Sequence, residues 1–114
     1  MSQNRYGHYV VNGHINGTEV GFFLDTGATS VAIPGNIATK LGLKRGGQVS
    51  VQTANGLAAA YLTRLEEVRL GPIVQRNVRA LIQPSMEGDI LLGMSFLREL
   101  EMVQRDRNLI LRQY

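Results

Sequence analysis

The sequence predicts an all-β fold, a small closed barrel or sandwich carrying one or two short helices. Three observations carry that prediction. Short apolar or alternating runs of strand length dominate the chain. Glycine is frequent, 13 of 114 residues, about 11% against a usual ~7%, and falls between those runs, where turns need it. Asn-Gly, the strongest short hairpin signal, occurs at 16–17 and again at 55–56. No repeat, low-complexity tract or linker is present, so residues 9–114 read as one domain behind an eight-residue N-terminal tail.

The elements follow in order. Tyr9–Ile15 is a strand, Asn16-Gly17 a type I′ turn, and Thr18–Leu24 the returning strand, ending in Phe22, Phe23 and Leu24. Asp25-Thr26-Gly27-Ala28 breaks that run and residues 30–33 resume extended structure. Asn36 is expected to cap a short helix to Leu41, with Gly42 as its left-handed terminator. Gln48–Thr53 and residues 57–62 form a second hairpin, and a loose alternation continues through Leu62, Arg64, Glu66, Val68 and Leu70 to a turn at Gly71-Pro72. Further strands are expected at 73–74, 78–82 and, fully apolar, Ile90–Leu92, then a helix over 95–100. A last hairpin joins 102–103 to 109–111 through Asp106-Arg107-Asn108.

Composition excludes several classes of function. Hydrophobic residues at 44% and charged residues at 18% exclude intrinsic disorder. With no cysteine, a disulfide scaffold, a thiolate metal site and a cysteine nucleophile are all excluded. The longest apolar stretch, 90–97, is far short of the ~20 residues of a membrane span, and the first ten residues lack the apolar core of a secretory signal. A soluble domain without membrane contact is expected, its compartment open, with an anchor upstream conceivable in a longer protein. Net charge is +3, but the basic residues (Arg64, Arg69, Arg76, Arg79, Arg98, Arg105) are scattered and do not alternate with aromatics, so nucleic acid is not an expected partner. His8 and His14 have no acidic neighbour at ligand spacing, so no metal is expected. Gly93-Met94-Ser95-Phe96-Leu97 lacks the second glycine of a serine-hydrolase elbow, and 42–47 lacks the spacing of a phosphate loop.

Asp25 is the residue most suggestive of chemistry. It follows three apolar residues and precedes Thr26-Gly27, so its carboxylate sits where a buried strand gives way to a tight turn and needs hydrogen-bonding neighbours there. Thr26 brings a hydroxyl and Gly27 lets backbone approach closely. The plain structural reading is an Asx-turn ending a strand.

Wider context favours chemistry. Phe22-Phe23-Leu24-Asp25-Thr26-Gly27-Ala28-Thr29-Ser30, a mid-chain hairpin over 52–57, and Ile90-Leu91-Leu92-Gly93 ahead of a helix occur in that order. This arrangement resembles the retropepsin-type aspartic proteases, and its details look closest to their bacterial branch. The resemblance spans nearly the whole chain, 9–111. It implies the small closed β-barrel-like acid protease fold with a short C-terminal helix, an aspartic endopeptidase activity on extended polypeptide, and no cofactor. Such hydrolysis uses two carboxylates sharing one proton, one activating a water and the other hydrogen-bonding the scissile carbonyl. Only one Asp-Thr-Gly is present, Asp89 and Asp106 lacking that setting, so the resemblance implies a homodimer with one Asp25 from each chain. It implies that Thr26 hydrogen-bonds across the two-fold axis, that Gly27 lines the cleft and that Ala28 lets the loops approach. Thr53, Ala54, Asn55 and Gly56 become the tip of a flap, and Ile90, Leu91, Leu92 and Gly93 the element supporting the site. Ile33 and Ile90 are expected beside the cleft, Asp89 in a structural role, and 109–111 in cross-dimer pairing. The rival reading on the same fold is a catalytically silent dimerisation or peptide-binding module.

Overall fold

The structure, a computed structural model, describes residues 9–25, 28–53, 56–105 and 108–113. Strands β1 (Tyr9–Ile15) and β2 (Thr18–Leu24) form an antiparallel hairpin. Its turn residues Asn16 and Gly17 have φ of +50° and +85°, as a type I′ turn requires. Then come β3 (Val31–Pro34), α1 (Gly35–Leu41), β4 (Gln48–Thr53), β5 (Gly56–Leu70), β6 (Ile73–Gln83), β7 (Ile90–Leu92), the single turn α2 (Met94–Leu97), β8 (Leu100–Arg105) and β9 (Asn108–Gln113).

The order around the main sheet is β1-β2-β7-β3-β6-β5-β4, and β5 also pairs with β1, so six strands close into a barrel with β4 outside it. Two register pairs make the seam, His14↔Arg69 and Ile15↔Val68. It is reinforced where Glu67 accepts from the Asn16 N–H (2.9 Å) and donates its own N–H to Asn16 Oδ1 (3.0 Å). A Cβ on Gly13 would strike the Arg69 carbonyl and come within 2.9 Å of the Phe22 ring. Glycine therefore sets how closely β1 and β5 approach. Inside lie Ile15, Phe22, Val31, Ile33, Leu65, Val68, Ile90, Leu92, Phe96 and Leu97, all at 0% exposure. Burying each large apolar side chain contributes about 1.5–3 kcal/mol. The all-β closed barrel expected from the sequence is the fold observed.

Several elements differ in extent from the sequence reading. Helix α1 starts at Gly35 with Pro34 as its N-cap and no side-chain cap hydrogen bond, so Asn36 does not cap it. Pro34 supplies a suitable φ of −57°, and Gly35 is pressed against Pro84, whose Cα would lie 2.8 Å from an added Cβ. Gly42 does end the helix, in the left-handed region at φ +69°. Helix α2 is one turn rather than 95–100, because Leu100 is buried and already paired with Gln113 in the β8–β9 sheet. The expected short strands at 57–62, 73–74 and 78–82 belong to two long ones. On β5 the inward face passes from Leu65 to Val68, and on β6 from Ile73 to Val78. The switch lies at Asn77, φ +55°, with register kept on both sides. A break in period-2 patterning thus reads as a broken strand although pairing continues. It also hides Leu65, which is fully buried while Leu62 is 49% exposed.

The hairpin expected between 102–103 and 109–111 is observed as β8 and β9, with Met102↔Leu111 and Val103↔Ile110 in register. Gln113 Nε2 donates to the Val74 carbonyl at 2.8 Å and ties this hairpin to β6. Asp106 and Arg107, expected in its turn, and the tail 1–8 with His8 lie outside the described residues. Among the described residues no helix is long and apolar enough to cross a membrane.

Leu65→Ala should lower unfolding free energy by about 2–5 kcal/mol, and Leu62→Ala by under about 0.5 kcal/mol. Urea unfolding of the two variants checks the observed inward face; equal losses would contradict it.

Candidate active site

Strand β7 lies between β2 and β3, parallel to the first (Phe22↔Ile90, Phe23↔Leu91, Leu24↔Leu92) and antiparallel to the second (Ala32↔Leu91). The connection over residues 25–30, which joins β2 to β3, must therefore pass across the end of β7. Asp25 heads this connection, half-buried. Its N–H donates to the Leu92 carbonyl at 3.2 Å, and its own carbonyl accepts from the Ala28 N–H at 3.1 Å. The position of Asp25 is thus fixed by backbone on both sides, one contact reaching into the β7 element 67 positions downstream in the chain.

The far side of the connection is held as firmly. The Met94 N–H donates to the Ala28 carbonyl and the Ser95 N–H to the Thr29 carbonyl, both at 2.9 Å. Ser95 Oγ accepts from the Val31 N–H at 3.1 Å and donates to the Arg79 carbonyl at 3.2 Å. Between these contacts sits Gly93. A Cβ there would collide with the Ser30 carbonyl and stand 2.8 Å from the Ala28 carbonyl. No L-residue with a side chain fits without moving backbone. Each hydrogen bond contributes about 0.5–1.5 kcal/mol net, so this clamp is strong in sum.

The structure brings together Asp25, Ala28, Leu92 and Gly93 among the residues expected from the sequence. Ile90 and Leu92 are core residues at 0% exposure, with Leu91 half-buried between them. Ile33 is also at 0%, so Ile33 and Ile90 face the barrel interior rather than the sides of a cleft, a correction to the sequence reading. Thr53 and Gly56 pair at the end of the β4–β5 hairpin, where Thr53 Oγ1 donates to the Gly56 carbonyl at 2.7 Å. Thr26, Gly27, Ala54 and Asn55 lie outside the described residues. Asp89 is exposed, and its Oδ1 would lie 3.0 Å from a Cβ on Gly21. Gly21 stands four residues before Asp25 on β2, about 13 Å away along the strand. Asp89 therefore packs beside the middle of β2. Ser95 was not singled out by sequence reasoning. Its role needs Val31 and Arg79, both distant in sequence, and no local pattern announces it. Among the described residues no group of three or more His, Asp or Glu side chains could hold a metal.

Residues 11–99 match the family described as gag-polyprotein putative aspartyl protease. The chain belongs to that family. A retropepsin-like aspartic protease from Rickettsia conorii has a similar crystal structure, with a TM-score of 0.81 and 30% identity over 100% of this chain and 88% of that one. The EIAV protease, solved with an inhibitor bound, shares the fold at a TM-score of 0.69 and 19% identity, covering 86% of this chain and 92% of its own. An uncharacterized Sinorhizobium protein from the region 5′ of cobV is 39% identical over 86% of this chain. An uncharacterized protein of Rickettsia prowazekii is 30% identical over 95% of it. The chain spans 44% and 48% of the lengths of these two relatives. The retropepsin-like barrel agrees with the sequence reading.

Gly93→Ala should lower stability by about 1–3 kcal/mol, the usual range for overpacking. Gly47→Ala, where only Leu62 Cδ1 lies near, at 3.8 Å, should change it by under about 0.5 kcal/mol. Thermal unfolding compares the two; indifference to Gly93→Ala would contradict the clamp.

Proposed function

We propose that the chain is an aspartic endopeptidase that cuts extended polypeptide segments as a homodimer, each subunit supplying one Asp25. One observation carries this reading. A family that hydrolyses with two carboxylates is represented here by a chain with a single carboxylate in the clamped setting, Asp25, while Asp89 packs against Gly21. A second copy related by a two-fold axis supplies the missing group with no further element.

The chemistry then runs through residues of both copies. The ionised carboxylate of the pair takes a proton from a water lying between the two as the water oxygen attacks the scissile carbonyl carbon. The other, protonated, carboxyl gives a hydrogen bond and then its proton to the carbonyl oxygen. When the tetrahedral adduct collapses, the C–N bond breaks, the leaving amine takes a proton, and the pair is left sharing one proton as before. Thr26 acts across the axis to keep the two carboxyl groups coplanar, Gly27 lies along the substrate backbone, and Ala28 permits the close approach of the two connections. The β4–β5 hairpin closes over the substrate as a flap and excludes water.

Asp25→Asn should cut cleavage of a diverse peptide library by at least about 10²–10⁴-fold while leaving the sedimentation coefficient unchanged. Cleavage by the variant at the parent's rate would overturn the proposal. Specific activity of the parent should also fall on dilution as dimers dissociate. A sedimenting monomer that cuts with undiminished turnover would overturn the homodimer.

A further inference from the structure

The basic residues that look scattered along the sequence are partly gathered by the fold. A groove of about 720 Å³ lies between the α1–β4 connection and the outer face of β5 and β6, and Lys44, Arg45, Arg64 and Arg79 line it with Glu66 as the one acidic residue. Four cations against one carboxylate give an excess equal to the +3 of the whole chain. The remaining Lys, Arg, Asp and Glu residues of the chain sum to zero.

The groove is held in shape by backbone. The Gly46 N–H donates to the Leu62 carbonyl at 2.6 Å, and the Leu62 N–H to the Gly47 carbonyl at 2.9 Å. An added Cβ on Gly46 would stand 2.8 Å from that Leu62 carbonyl, so glycine allows the connection to lie against β5. Arg45 is steadied over the Tyr61 ring, 4.7 Å from its centroid. Arg64 and Arg79 are direct cross-strand partners, both exposed on the outer face. Cβ atoms in such pairs are about 4.5–5.5 Å apart, and like charges there are destabilising. The nearby Glu67 does not relieve them, since its carboxylate pairs with Arg69 and Arg76 at 3.2 and 3.4 Å. Among the described residues none of the four groove cations makes an ion pair.

An opposed arginine pair that forms no ion pair among the described residues and faces an open groove is a receptor for carboxylates, which each guanidinium can bind through two parallel hydrogen bonds. We infer that this groove is an exosite for an acidic segment of the polypeptide substrate, a reading that rests on the proposed peptidase activity. No residue of the groove belongs to the 25–30 connection or to β7, so the segment it takes lies outside the scissile region. An extended peptide suits the apolar walls, Leu43, Leu62 and Ala80. Nucleic acid suits the groove less, because none of the lining residues is an aromatic on which a base would stack.

Asp25→Asn protein, unable to cut, serves as the receptor. Fluorescence anisotropy at low salt should show binding of a labelled decapeptide of alternating Glu and Gly, weakening as salt rises, and no binding of its Gln-for-Glu counterpart. Arg64→Gln/Arg79→Gln in that background should lower affinity at least tenfold without lowering the unfolding midpoint, since the substitutions remove repulsion. Lys44→Gln/Arg45→Gln should weaken binding independently and keeps the test open if the first pair misfolds. With cleavage-competent protein, the arginine variants should raise KM for a substrate carrying an acidic flank and leave kcat, and the KM of a neutral-flanked substrate, unchanged. No binding of the acidic peptide, equal binding by the variants, or tighter binding of a ten-nucleotide single strand at the same residues would overturn the inference. Peptide binding without any cleavage by the parent would instead count against the peptidase reading alone.

Discussion

The structure turns on how closely the 25–30 connection approaches Gly93. Because β7 is inserted between β2 and β3, the chain that carries Asp25 must cross the end of β7. Only a residue without a side chain at 93 lets the Ala28 and Ser30 carbonyls into that space. Once there, the connection is tied on both sides of Gly93, from Leu92 to Asp25, from Met94 to Ala28 and from Ser95 to Thr29. In the proposed function Asp25 does general acid–base work, which requires placement to within about 0.5 Å. Backbone contacts from a buried strand achieve that better than a free loop does.

The barrel exists to make that crossing stable. Parallel pairing joins β2 to β7 and β3 to β6, and Val31–Pro34 between them is buried at every position. The seam at Gly13 and Asn16 closes the sheet, so the core that supports Ile90 and Leu92 is sealed on the side away from the site. The same closure leaves the outer face of β5 and β6 free, and there the α1–β4 connection collects the excess positive charge. The groove thus shares the barrel with Asp25 but none of the residues of the 25–30 connection or of β7.

Much of this was legible in the residues. Local signals behaved as physics dictates: Asn16-Gly17 turned, Gly42 ended a helix, and the apolar runs at 22–24 and 90–92 became neighbouring core strands. The family resemblance rested on those runs together with Asp25, and the fold agrees with it. What was not legible depends on long-range assembly. The side-chain alternation on β5 changes phase near Asn77, which concealed Leu65. Leu100 was drawn from the expected helix into a sheet by its partner Gln113. Ser95 acts through Val31 and Arg79, and the cations of the groove come from three separate segments, so no linear pattern could display either. Ile33 and Ile90 were assigned to the cleft because apolar residues near a site and apolar residues beneath it look alike in sequence.

The central claim is that each chain holds half of one catalytic site. Mixing parent and Asp25→Asn chains, allowing subunits to exchange, and measuring cleavage as a function of the parent fraction tests it directly. The account predicts activity proportional to the square of that fraction, because every dimer containing one altered chain lacks a functional pair. Activity linear in the parent fraction would mean that each chain cuts alone, and would contradict it.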